Sequence, residues 1–239
     1  MILISIMKNV VLPEAKDRDL VFYLAMEEFV AREFEGDCFF VWRVNPTVII
    51  GRNQDLEAEV NMEYCRQHGV KVFRRKSGGG CVYSDKGNIM VSYVSRRGEV
   101  SAVFDRYLSA MTACLRSVGL EAEKSGRNDI LVGSRKVSGN AFQQLPERSI
   151  VHGTLLYSTD MDALEIAIRP PVEKLERHGI ASVRQRVVNL SEIMSNELIG
   201  SVEELEAHLV KYFTDEEVVL TDQQVMQIEA ISREYEEYK

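Results

Sequence analysis

The chain has 239 residues, 45% of them hydrophobic, and a formal net charge of −8. That length suffices for one large domain or two small ones, and the apolar fraction excludes global disorder. An acidic balance argues against a general nucleic-acid binder, and no stretch reaches the ~18 apolar residues of a membrane span.

The N-terminus carries a short apolar run with no basic segment before it and no small-residue cleavage site, so residues 2–7 read as a strand and not as a signal peptide. A helix is predicted over 17–35, opened by Asp17 and Asp19, with Leu20, Tyr23, Leu24, Glu27 and Val30 at helical spacing. Strands follow at 38–44 and 47–51. A short helix at 61–68 has Asn61 as its N-cap and stops at Gly69. After a strand at 70–74 comes a glycine-rich stretch, and then strand residues 82–83 with 88–94. A helix over 99–118 places Val103, Tyr107, Met111, Cys114 and Val118 on one face and ends at Gly119. Four strands, 120–124, 129–132, 135–143 and 149–157, then follow without an intervening helix. Ser201 and Glu204 form a capping-box pattern for a helix at 201–213, and Thr221 opens a last helix at 221–238.

Consecutive strands with helices at the flanks predict an α+β fold with a mixed, largely antiparallel central sheet. No repeat or linker is visible, and Pro170-Pro171 is too short to divide the chain, so residues 1–239 read as a single domain. Cys38, Cys65, Cys81 and Cys114 are far apart and include no CxxC pair. That pattern suits reduced, mostly buried thiols in a cytoplasmic protein, not a disulfide framework or a zinc site.

The common catalytic signatures are missing. There is no GxxxxGK[ST] loop, no GxGxxG opening a helix, no HExxH and no GxSxG. Three other segments combine glycine with polar or charged residues at strand ends, where rigid strands can converge such groups on one surface. They are RRKSGGGCVYSDKGN (74–88), SGRNDILVGSRKVSGNAFQQ (125–144) and HGTLL (152–156). Three consecutive glycines cost backbone entropy and pack nothing, so they mark either a flexible turn or a loop whose backbone must approach a ligand. Gly133-Ser134 reads as a hairpin turn. Beyond it, Arg135 and Lys136 point to opposite faces, and an inward lysine needs an anionic partner. Taken singly, each of these residues has a plain structural reading. Lys136 suits an edge-strand surface, Arg74-Arg75 a solvated strand end, Cys81 a small core residue and His152 a satisfied core histidine.

Together, and in register over roughly residues 1–215, the segments resemble the lipoate–protein ligase A family of the lipoate/biotin ligase and octanoyltransferase superfamily. The matching residues are 74–83 with Asp85, Gly87 and Asn88, then 125–129, 135–139, 152–156 and 180–184 through Asn189-Leu190. The resemblance implies a two-step reaction. Lipoate is activated by ATP, with Mg2+, to lipoyl-AMP, and the lipoyl group then passes to a lysine of an apo lipoyl domain of a 2-oxoacid dehydrogenase or of the glycine-cleavage H protein. By the same resemblance, Lys136 is the catalytic cation, reaching the acyl carbonyl and phosphate. Adenylation brings two negative groups together, so a fixed lysine offsets their repulsion most in the transition state.

The implied ATP and adenylate contacts are Arg75, Gly80, Cys81, Val82, Tyr83, Asn88, Asp129, Lys136, Ser138, Gly139 and Arg184. The implied lipoate contacts are Arg75, Ser77, Gly78, Gly79, Gly80, Lys136, His152 and Gly153. Asp129 is expected to orient magnesium, and residues 177–187 to cover the adenylate and exclude water. The C-terminal accessory domain of longer family members is expected to be absent, which admits a separate accessory subunit. Three alternatives stay open: a lipoyltransferase that uses preformed lipoyl-AMP, an octanoyltransferase fed by acyl carrier protein, and a non-catalytic lipoate-binding protein. Cys81 has no neighbouring base, which disfavours a cysteine route.

Overall fold

Two sheets of unequal size organise the computed structural model, which describes residues 7–126, 128–169, 186–194 and 198–237. In chain order the strands are β1 (Met7–Val11), β2 (Asp37–Trp42), β3 (Thr47–Ile50), β4 (Lys71–Arg74), β5 (Val82–Ser84), β6 (Asn88–Arg96), β7 (Ala122–Ser125), β8 (Asp129–Val132), β9 (Arg135–Gln144), β10 (Arg148–Leu156) and β11 (Thr214–Val219). The helices are α1 (Leu20–Glu33), α2 (Leu56–Glu59), α3 (Met62–Gln67), α4 (Val100–Ser117), α5 (Met161–Ala167), α6 (Val202–Phe213) and α7 (Asp222–Glu237).

The large sheet runs β11-β1-β2-β6-β10-β9-β8-β7, and the small one runs β4-β3-β5. β1 pairs in parallel with both β11 and β2, and β3 with β4. The other pairings between these strands are antiparallel, so the mixed, largely antiparallel sheet expected from the strand succession is present.

Helices cover both faces of the large sheet, and strand alternation explains how one run of sequence serves both. On β2, Phe39 joins a core with Tyr107, Met111 and Leu115 of α4, whereas Phe40 joins a core with Leu20, Leu24 and Phe29 of α1. β6 does the same with Val91 and Tyr93 on one side and Met90 and Val94 on the other. Residues 88–95 of β6 are all buried, and all but Asn88, Ser92 and Ser95 are apolar, as expected of a strand covered on both faces. Each fully buried Leu, Met or Phe in these layers contributes about 1.5–3 kcal/mol. A third core lies under the small sheet, where Val48, Ile50 and Tyr83 meet Ala163, Leu164 and Ile168 at α5.

The sequence-derived caps form with varied chemistry. Asn61 Oδ1 accepts from Tyr64 N–H, and Ser201 Oγ from Glu204 N–H. Thr221 and Gln224 make a reciprocal capping box. Asp19 precedes α1 without capping it, because its carboxylate binds Lys71 Nζ.

The first strand among the described residues is Met7–Val11; of the strand expected at 2–7, residues 2–6 lie outside the described residues. Two expectations need correction. Residues 82–83 and 88–94 do not form one unit, since β5 belongs to the small sheet and β6 to the large one. Asp85 makes the break by accepting from Gly87 N–H through Oδ1 and from Asn88 N–H through its carbonyl. Helices α2 and α5 and strand β11 were not foreseen. α5 has a legible start in Asp160, whose carboxylate caps Asp162 and Ala163.

Candidate active site

The glycine-rich segment joins β4 to β5 and lies against the large sheet. Arg75 organises it. Its backbone N–H donates to Ile50 O, and its guanidinium donates to the carbonyls of Ile49, Gly78 and Gly80. Arg75 is 5% exposed, and burial pushes its guanidinium down to about 10, still protonated near neutral pH. Gly79 has φ +96°, and a Cβ there would stand 2.7 Å from Arg75 Nη2. Both facts demand glycine. Gly51 faces the Gly79 carbonyl so closely that no side chain fits between them. The loop therefore wraps around an arginine, its carbonyls turned to the guanidinium.

Behind the loop runs a buried polar chain. Ser77 Oγ and His152 Nε2 are 2.7 Å apart, His152 Nδ1–H donates to Glu27 Oε2 (2.8 Å), Ser92 Oγ donates to Glu27 Oε1 (2.6 Å), and Trp42 Nε1–H donates to Ser92 Oγ (2.8 Å). All five side chains are buried. Buried polar groups of this kind are tolerated because each has a partner.

Lys136 comes from β9. The inward lysine has its anionic partner: Nζ lies 2.7 Å from Asp129 Oδ1, while Arg186 Nη2 donates to Asp129 Oδ2 at 2.8 Å. The Lys136 carbonyl accepts from Val188 N–H, which ties residues 186–188 to β9. Gly139 leaves room for the lysine tail, because a Cβ there would stand 2.6 Å from Lys136 Cε.

These parts surround a cavity of about 340 Å³. One apolar end is walled by Leu20, Leu24, Trp42 and Met90, which belong to the α1 core. Another is walled by Tyr83, Leu164 and Ile168 of the small-sheet core, with Cys81 packed against that core. Polar and charged residues in the wall include Asn128, Asp129, Lys136, Asn140, Arg186, Arg75 and Glu59. Among the described residues, Arg75, Lys136 and Arg186 outnumber the carboxylates Glu59 and Asp129 in the wall, so this part of the cavity is cationic in a chain of net charge −8. That arrangement can accept an apolar chain at one end and an anionic group beside Lys136.

Of the residues named from the sequence, Arg75, Gly79, Gly80, Cys81, Val82, Tyr83, Asp129, Lys136, Gly139, His152 and Gly153 line the cavity. Ser77, Gly78, Asn88 and Ser138 are not in its wall. Ser77 is turned to His152, Asn88 to the Tyr83 carbonyl and Ser138 to Asn140 Nδ2, so they buttress the wall from behind. Arg75 is spent largely on loop carbonyls, which makes it a loop organiser before it is a ligand contact. Arg184 and most of the covering segment 177–187 lie outside the described residues.

Asp129 does not present itself as a magnesium ligand. Both its oxygens are held by cations, and among the described residues no group of three or more His, Cys, Asp or Glu is arranged to hold a metal. Sequence reasoning missed Glu27, Trp42, Glu59 and Leu164, which no local signal marks because they reach the site through tertiary packing, whereas Asn140 and Arg186 lie inside the segments 125–144 and 177–187 that it named without being singled out.

Fold and site together define an α+β protein with a cavity lined by residues of two apolar cores, by cations and by a glycine-rich loop. The chain belongs to the lipoyl protein ligase A/B catalytic domain family, which it matches over residues 19–214. It is 37% identical over 218 residues to lipoate–protein ligase 1 of Staphylococcus aureus, covering 88% of this chain and 66% of that one. It is also 37% identical over 192 residues to lipoate-protein ligase LplJ of Bacillus subtilis, covering 79% and 57% respectively. The chain thus spans somewhat less than two thirds of the length of these curated relatives. Among solved structures it resembles a bi-partite lipoate protein ligase studied with its E2 lipoyl domain from Thermoplasma acidophilum (TM-score 0.80, 27% identity, 96% of this chain and 92% of that one). It also resembles a lipoate-protein ligase A bound with ATP (TM-score 0.79, 25% identity, 96% and 94%). Protein Ta0514 of T. acidophilum with bound lipoic acid gives a TM-score of 0.78 at 25% identity, covering 95% and 94%.

Proposed function

We propose that this chain is the catalytic unit of a lipoate–protein ligase. The observation that carries the reading is the cavity itself: an apolar end suited to an acyl chain and a second suited to a nucleobase, with Lys136 fixed in the same wall. Relatives solved with lipoic acid and with ATP support both halves of it. In the first step a lipoate carboxylate oxygen attacks the α-phosphorus of ATP, and pyrophosphate leaves. Lys136, oriented by Asp129 and given room by Gly139, offsets the charge that gathers between carboxylate and phosphate. Gly79, Gly80 and Gly153 let backbone approach the ligand. Cys81, Val82 and Tyr83 line the nucleobase end, while Ser77, Asn88 and Ser138 hold the wall from behind. In the second step a lysine Nζ of an apo lipoyl domain or H protein attacks the acyl carbon, and AMP leaves. Magnesium would arrive on ATP.

β11 completes an edge of the large sheet and α7 packs on α1, which supports reading the chain as a single domain. Among the described residues no helix is long and apolar enough to cross a membrane. The likeness to a chain of a bi-partite ligase favours a second reading, in which this unit transfers a preformed lipoyl adenylate. Intact mass spectrometry of an apo lipoyl domain separates the two. Modification with lipoate, ATP and magnesium supports the complete ligase. Modification with lipoyl-AMP alone supports the transferase. Modification with neither defeats both and makes octanoyl-acyl carrier protein the next donor to offer.

A further inference from the structure

The glycine-rich loop is anchored from its far side by a helix that lies outside the matched family segment. Consecutive loop residues point in different directions. Arg75 and Ser77 engage the loop carbonyls and His152, while Lys76 reaches back toward α1 and α7. Lys76 Nζ donates to Glu28 Oε1 of α1 at 2.7 Å and stands 4.0 Å from the centroid of the Tyr235 ring of α7. The Tyr235 hydroxyl donates to the same Glu28 oxygen, and Arg32 Nη2 donates to the other at 3.0 Å. Gln143 Nε2 approaches Oε1 at 3.4 Å.

Glu28 and Tyr235 are 2% and 3% exposed. A carboxylate so buried persists as an ion only with partners, and three of its four come from the loop, the sheet and α7. Tyr235 contributes twice, with its hydroxyl to the carboxylate and its ring face to the ammonium. Any of the three groups, if lost, leaves the other two imperfectly paired, so the cluster behaves as a unit.

We propose that Tyr235 is a positioning residue for the glycine-rich loop: it orients Glu28, which fixes Lys76, and so sets the backbone of residues 77–80 at the cavity wall. α7 is thereby part of the ligand-binding machinery, although the family match ends at residue 214. The kinetic consequence rests on the ligase reading above, whereas the ordering of the loop does not.

The test uses the full chain and the variants Tyr235→Phe, Tyr235→Leu and Lys76→Met. Native-state hydrogen exchange is measured without ligand, and lipoyl-AMP formation is followed at varied lipoate and ATP. In Tyr235→Leu, amides 76–80 should exchange about tenfold faster while the amides of β6 and β10 keep their rates. The KM for lipoate should rise about fivefold and that for ATP less than about twofold. Lys76→Met should reproduce both effects, and adding Tyr235→Leu to it should change little. If Tyr235→Leu does not fold, Tyr235→Phe, which removes only the hydroxyl, carries the exchange comparison.

Unchanged exchange at 76–80 in the Tyr235 variants overturns the proposal. So does a uniform rise across the sheet, which would make α7 mere packing, and so does additivity of the two substitutions. If the unaltered chain forms no lipoyl-AMP, the ligase reading fails, and exchange at 76–80 alone judges the clasp.

Discussion

Gly139→Ala separates site geometry from stability. A methyl group there would stand 2.6 Å from Lys136 Cε and closer still to Nζ, where ordinary contact begins at 3.4 Å. The next atom, Asp129 Oδ1, is 3.7 Å away, and the backbone at 139 is not in the left-handed region. The conflict is thus confined to the tip of one flexible side chain, which must retreat by about 1 Å, a displacement that can cost on the order of 100-fold in rate. At 1.36 kcal/mol per decade that is about 2.7 kcal/mol of barrier. Deleting the cation outright, in Lys136→Ala, should cost about 3–4 kcal/mol, the scale of losing one fixed transition-state donor. Stability should hardly change. The lysine rotates, and its ion pair with Asp129, in which Lys136 is 23% exposed, loosens for about 1 kcal/mol or less. That corresponds to roughly 2–4 °C in Tm for a chain of this size. Single-turnover formation of lipoyl-AMP, measured beside thermal unfolding, reads both quantities. A Gly139→Ala protein that adenylates at the unaltered rate would show that the position of Lys136 Nζ does not govern the chemistry. A large fall in Tm would show that Gly139 is structural.

Gly51→Ala should act differently, because its methyl would meet the backbone of Gly79, with the carbonyl carbon only 3.0 Å away. The loop itself must then move. We expect about 1–3 kcal/mol of destabilisation together with weakened lipoate binding in calorimetry. Cys81→Ala should keep activity within about threefold, since Cys81 packs against the small-sheet core and the proposed chemistry places the charge stabilisation on Lys136, and complete loss in a folded protein would revive the cysteine route. Acid sensitivity should trace in part to Glu28. Burial alone would raise its carboxyl, but hydrogen bonds from Lys76 and Tyr235 and the charges of Lys76 and Arg32 prevail and hold it below its ordinary value of 4.5. The unfolded chain therefore binds this proton more readily than the folded one. The stabilisation is present above about pH 4.5 and is lost as pH falls through the lower folded value. Unfolding of Glu28→Gln should show a shallower loss of stability in that acid range, and identical profiles would clear Glu28 of the effect.

Local chemistry made much of this protein readable along the chain. Asn61, Ser201 and Thr221 announce helices α3, α6 and α7, because a side-chain cap needs only residues three or four positions apart. The glycine-rich segment, Lys136 and the HGTLL stretch marked the cavity because glycine and charge at strand ends have few structural uses. The demand for an anionic partner to Lys136 was also legible, as an electrostatic necessity, and Asp129 meets it. What tertiary structure decided is whatever depends on segments far apart in sequence. β5 and β6 part into different sheets at Asp85. Glu27 reaches His152 across 125 positions, and Tyr235 reaches Glu28 across 207. Ser77 and Ser138 carry site-like sequence context yet face away from the cavity, because strand and loop geometry sets side-chain direction. Periodicity and caps are local quantities fixed by backbone hydrogen bonding. The burial of a charge, the pairing that makes it tolerable and the wall it belongs to exist only once distant strands and helices are packed together.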